Sequence, residues 1–346
     1  MNSSISRSNT VFFLAVFTVF IISSVASCYH KRYFHVGNVF FGELRKTSMK
    51  YGETLRNKYK NCYVIFGGST VATGIIPSQI EQNHNVPIIN AGSNLGIGGA
   101  LITRLALEQV RSGDTILVAL EPPVLAHYND VMTKQASDFF VAQNGLDFNK
   151  NNFFELEIQH AIEYIQGDTR YFVYMWMKRI LNMPLFRYVN EENISLDGWL
   201  EVKEQRPLPP VMKNPAPVVA TQLSETGRAY LLKLKQFAET IDTDICYVFP
   251  TMYRPNINAK YSNAALALEI LEIMPIIKDA DFGISTNHAL FADTQQHPLK
   301  LESQRISHNL GMALKNNIFW DKLELMAILE EAKRDNSFIE ESIVLE

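Results

Sequence analysis

Cysteine is scarce in this chain, with three among 346 residues. Cys28, Cys62 and Cys246 are too few for a disulfide framework. Cys62 and Cys246 each open an apolar run that reads as a strand, so both are expected to be buried structural thiols. No cluster of His and Cys has the spacing of a zinc site, and no residue is assigned to a metal or an organic cofactor. Basic charge is lacking too: 32 Lys and Arg stand against 36 Asp and Glu, for a net charge of −4. With no basic stripe carrying interleaved aromatics, nucleic acid is not expected as a partner. No lysine follows the glycine turns as in a phosphate-binding loop. The stretch Gly92-Ser93-Asn94-Leu95-Gly96 departs from the dinucleotide fingerprint, which argues against a nucleotide binder. Internal repeats are absent. The apolar share of 47% and charged share of 20% are those of an ordinary globular protein. The length suits one large α/β domain with insertions, or two smaller domains.

One long uncharged run is present, from Ser8 to Tyr29, with an apolar centre from Val11 to Ile22. Arg7 precedes it and His30-Lys31-Arg32 follows it. About twenty residues span a bilayer as a helix, and a cleaved signal peptide has a similar pattern. Val25-Ala26-Ser27-Cys28 also resembles a bacterial lipobox, which would make Cys28 the lipidated residue of a lipoprotein. An uncleaved N-terminal membrane anchor is the preferred reading of residues 1–32. Lys31, Arg32, Arg45 and Lys46 lie after the run, and this charge bias by itself would keep the following domain in the cytoplasm.

The stretch from Cys62 to Gly99 organises the rest. Tyr63-Val64-Ile65-Phe66 is a short apolar, β-branched run of the kind found in buried strands. It ends in Gly67-Gly68-Ser69-Thr70, which puts a hydroxyl where a strand turns into a helix, at the edge where α/β sheets keep their ligands. A second strand, Val86 to Asn90, ends in another glycine-rich turn through Gly92 and Asn94. A helix near 98–111 and a third strand, Thr115 to Leu120, follow. Strands at 245–249 and 282–285 alternate with helices at 224–241, 263–273 and 299–315. This alternation predicts an α/β fold with a doubly wound, mostly parallel sheet flanked by helices in three layers.

A nucleophilic serine needs a base, a group that orients the base, and donors for the developing oxyanion. Downstream lies Asp293-Thr294-Gln295-Gln296-His297-Pro298. Serine near the start, with Asp and His close together near the end, resembles the SGNH (GDSL-like) hydrolase superfamily. The resemblance spans roughly Tyr63 to Lys315 and rests on three short blocks. It implies Ser69 as nucleophile, His297 as base and Asp293 as the residue orienting it. It also implies the Gly92 amide as an oxyanion donor, with Asn94 as a substitute donor. Two features differ from the family pattern. The third strand ends in Glu121-Pro122-Pro123 where the family carries an Asn, and Asp293 and His297 stand four apart rather than three. The first difference resembles a branch that modifies cell-surface polymers, including O-acyltransferases acting on alginate or teichoic acid.

The resemblance implies acyl transfer on a cell-surface glycan or a similar ester substrate, as an O-acyltransferase or an acetyl esterase. It implies a membrane-anchored protein with its domain outside the cytoplasm, in the periplasm, working beside polysaccharide-assembly proteins. Glu121 and Arg254 are candidate substrate contacts. The alternative is a catalytically silent subunit of the same fold in a polysaccharide export complex, which the two differences would explain. The expected organisation is an anchor over 1–32, a lead-in helix over 33–61, the α/β domain over 62–127 and 222–320, an insertion or cap over 128–221, and a C-terminal helix and tail over 321–346.

Overall fold

The computed structural model describes residues 10–18, 21–22, 25–26, 36–127, 177, 193–202, 220–292 and 294–334. The chain divides into two compact units, Met1–Gly42 with Met132–Arg187, and Glu43–Val131 with Tyr188–Glu346. Most of the expected insertion, together with Cys28, Asp293 and the tail from Asp335, lies outside the described residues.

In the first unit, residues 10–18 are helical, and Val11, Phe12, Phe13, Leu14, Val16 and Phe17 are exposed. Among the described residues no helix is long and apolar enough to cross a membrane.

The second unit carries the α/β fold. Its elements in chain order are α1 (Val36–Arg56, which begins ahead of the unit), β1 (Tyr63–Gly67), α2 (Ser69–Gly74), α3 (Pro77–His84), β2 (Ile88–Asn90), α4 (Gly99–Leu107), β3 (Thr115–Ala119) and α5 (Pro122–Ala126). After the insertion come α6 (Glu225–Thr240), β4 (Asp244–Tyr247), β5 (Met252–Tyr253), α7 (Ala259–Leu271), β6 (Ile284–Ser285), α8 (Lys300–Lys315) and α9 (Lys322–Arg334).

Four strands form one parallel sheet in the order β2-β1-β3-β4. Val64, Ile65 and Phe66 of β1 and Ile116, Leu117 and Val118 of β3 are all buried. Such unbroken apolar runs are what a sheet covered on both faces requires. Ile65, Ile88, Leu117 and Cys246 pack on one face against Val71, Ile75, Ile80, Leu310 and Leu314 from α2, α3 and α8. From β2 the chain crosses back over β1 to reach β3, so a right-handed crossover sets α4 on the opposite face. Also on that face, α1 packs Gly52 against Ile89. The thiols of Cys62 and Cys246 are both buried, and burial pushes them up to about 11 and about 12.

The α1 helix is more than a lead-in. Ser48 donates to the Asn90 carbonyl at 2.6 Å, and Arg56 forms a buried ion pair with Asp114. Asp114 also accepts the backbone N–H of Cys62 at 2.8 Å and of Arg111 at 2.9 Å, so one carboxylate ties α1 to the entry of both β1 and β3. Replacing it leaves the Arg56 cation buried without its partner, a loss of about 3–5 kcal/mol for pairs of this kind. Asp114→Asn should therefore lower the unfolding free energy from urea titration by an amount in that range, and the midpoint with it. An unchanged midpoint would show that the pair does not hold α1 to the sheet.

Candidate active site

The sheet order reverses between β1 and β3, and in open α/β sheets the crevice at such a switch point is the usual ligand site. Ser69 stands just past the end of β1 and Glu121 just past the end of β3. The two turns meet directly. Glu121 is 1% exposed and accepts the Thr70 hydroxyl at 2.9 Å. Gly68 lies so close that a Cβ there would sit 2.4 Å from the Glu121 carboxylate. A side chain before the serine would therefore have to displace the Glu121 carboxylate.

Ser69 opens α2, a helix of six residues in which Thr70, Val71, Ala72, Thr73 and Gly74 are all buried. So short a helix has little stability of its own, and its carbonyls need partners from elsewhere. They have them. Asn90 donates its side-chain amide to Val71 O at 3.0 Å and to Ile75 O at 2.9 Å. Ala72 O accepts the Leu200 amide at 3.0 Å. Thr73 O accepts the Trp199 indole at 2.6 Å and the Ser303 hydroxyl at 2.9 Å. Gly74 O accepts the Ser307 hydroxyl at 3.4 Å. Ser69 itself is half-buried at the open end of this anchored turn.

The loop bearing His297 docks on the same helix. Thr73 bonds the Ser69 carbonyl at 2.7 Å and the Gln296 carbonyl at 3.4 Å. Pro298 packs 3.4 Å from where a Gly74 Cβ would lie. The loop is closed on itself by the Ala292 amide donating to His297 O at 2.8 Å and by a bridge between Phe291 and Pro298. It is joined to β5 by the Tyr253 amide on Gln295 O at 2.9 Å, and the Arg254 guanidinium reaches the Gln295 side chain at 3.0 Å. Burial pushes the Arg254 pKa down.

The structure therefore gathers Ser69, Glu121, the His297 loop and Arg254 onto connected elements. Asp293 lies outside the described residues. No direct hydrogen bond joins the Ser69 hydroxyl to the His297 ring among the described residues.

Two residues sit differently from expectation. Gly92 donates its amide to the Asn90 side-chain oxygen at 2.9 Å, so that N–H is committed and does not face an oxyanion. Its glycine identity has a packing cause, since a Cβ would fall 2.4 Å from the Ala72 nitrogen. Glu121 is sealed beneath the β1–α2 turn, which makes it a support for the turn and not a substrate contact. Asn94 is half-buried and caps the next turn by accepting the Gly96 amide at 2.9 Å.

No family model, curated protein or solved structure matches this chain. Among the described residues no three His, Cys, Asp or Glu side chains are grouped to hold a metal ion.

Sequence reasoning missed the supporting residues: Asn90, Trp199, Ser303 and Ser307. The two serines had left a signal, being one helical turn apart in α8. Asn90 serves three bonds at once and is 2% exposed. Each buried group left without its partner costs about 1–3 kcal/mol. Asn90→Ala should thus lose about 3 kcal/mol or more in denaturant titration, and a loss below about 1 kcal/mol would mean that α2 is held without it.

Proposed function

We propose that the protein carries out serine-dependent acyl transfer through an acyl-enzyme on Ser69. The observation that carries this reading is the docking of the His297 loop on the very helix that presents Ser69, although the two residues are far apart in sequence. The parallel sheet order, with the serine at the switch point, also supports an SGNH-like fold.

In the proposed reaction His297 accepts the Ser69 proton as Oγ attacks an ester carbonyl, and returns it to the departing alcohol oxygen. Asp293 would orient the imidazole. The Ser69 backbone N–H and the Asn94 side-chain amide are the donors proposed for the oxyanion, each typically worth about 3 kcal/mol. Attack by water on the acyl-enzyme gives an esterase, and attack by a glycan hydroxyl gives an O-acyltransferase. The exposed apolar helix at 10–18 supports an N-terminal membrane anchor. Together with the surface-polymer resemblance, this favours an extracytoplasmic domain acting on a glycan beside polysaccharide-assembly proteins.

A second reading, a catalytically silent subunit of such an assembly, is favoured by the committed Gly92 amide, which leaves the site without that oxyanion donor.

A fluorophosphonate probe separates the two. Wild-type protein should be labelled on Ser69, Ser69→Ala should not react, and His297→Ala should react about 100-fold or more slowly, as expected on loss of a general base. Folded wild-type protein that takes up no probe would support the silent subunit.

A further inference from the structure

Glu121 is the buried acid that neither reading uses. Its surroundings are unusual for a charged group. One oxygen, Oε1, accepts the Thr70 hydroxyl, and the backbone amides of Glu121 itself and of Gly68 also donate to the carboxyl. The other, Oε2, is buried with no hydrogen-bond partner. No cation contributes to its environment among the described residues. Tyr247, on β4, is the titratable side chain facing it, and its hydroxyl is committed to Leu120 O at 2.7 Å. A carboxylate accepts at both oxygens, whereas a carboxylic acid accepts at one and carries a hydroxyl on the other. A charge shared onto Oε2 would be buried with neither a donor nor a cation to offset it, a far larger cost than one hydroxyl left without an acceptor.

We propose that Glu121 is a positioning residue held as the neutral carboxylic acid, whose carboxyl grips Gly68 and Thr70 and so fixes how the turn presents Ser69. The grip spans the serine, with one contact on each side of it in sequence. Burial pushes the carboxyl in the same direction, raising it from its ordinary value. In the unfolded chain the group releases its proton near pH 4.3. The stability Glu121 contributes is thus fullest below that pH and declines as pH rises through the folded-state value.

The test uses the full chain with Glu121→Gln, Glu121→Ala and Thr70→Val. Glutamine keeps a carbonyl oxygen for the two donors and cannot ionise. Infrared difference spectra at neutral pH should show a protonated carboxyl band in wild type that Glu121→Gln lacks. The melting temperature of Glu121→Gln relative to wild type should climb as pH rises from about 4 upward. Absence of the band, or a relative melting temperature that does not climb, overturns the neutral acid whether or not Ser69 reacts.

The positioning role is read separately, and its reactivity arm rests on Ser69 being the nucleophile. Glu121→Ala should slow fluorophosphonate labelling tenfold or more, Thr70→Val should slow it several-fold, and Glu121→Gln should restore it with the wild-type pH profile. Equal labelling of all four proteins overturns the grip. If wild type takes up no probe, the acyl-transfer reading fails and amide exchange over residues 68–72 decides instead. Exchange should quicken in Glu121→Ala and Thr70→Val but not in Glu121→Gln, and no change in any of them overturns the proposal. If Glu121→Ala does not fold, Thr70→Val carries the same comparison.

Discussion

Five successive backbone carbonyls, from Val71 to Ile75, are the constraint around which this domain is arranged. They end a helix too short to satisfy itself, and they are buried. Asn90 from the second glycine turn, Trp199 and Leu200 from the insertion, and Ser303 and Ser307 from α8 all converge to bond them. Elements distant in sequence thus meet because one short segment needs their polar groups. Losing Asn90, Leu200 or Ser307 would take a donor from one of these buried acceptors, so the segments are energetically coupled rather than merely adjacent.

That coupling links stability to chemistry. The same contacts that stabilise α2 bring α8 and the loop ahead of it against the helix, and the loop carries His297. At the other end of the helix Glu121 holds the turn from below. Ser69 is left as the half-buried residue of an otherwise sealed turn, at the edge where the sheet order reverses. In the proposed reaction so fixed a support would leave Ser69 little reorganisation to make.

Much of the fold was legible in the sequence because parallel strands buried on both faces must be apolar throughout. The runs at Tyr63, Thr115 and Ile245 are of that kind, and the glycine turns after β1 and β2 mark where the chain leaves the sheet. The β5–β6 pair was harder to read, since Met252 and Tyr253 form a strand of only two residues. The role of α1 was also hidden, because its charged pattern suits a solvated helix while its Ser48 and Arg56 are committed to the domain. In the site, the place of Ser69 just past a strand end was legible from the glycine turn that follows the apolar run. The use of Gly92 was not. In the folded domain Asn90 folds back on its amide and Ala72 lies too close for a side chain. Glu121 was legible as a carboxylate at a strand end, but its burial depends on Gly68 from another strand.

The most direct measurement is a crystal structure of the protein after reaction with a fluorophosphonate. The account predicts phosphorus bonded to Ser69 Oγ, with an imidazole nitrogen of His297 within about 3.2 Å of that oxygen or bridged to it by one water. A His297 ring turned to the far side of α2, or an adduct on another residue with Ser69 untouched, would contradict it.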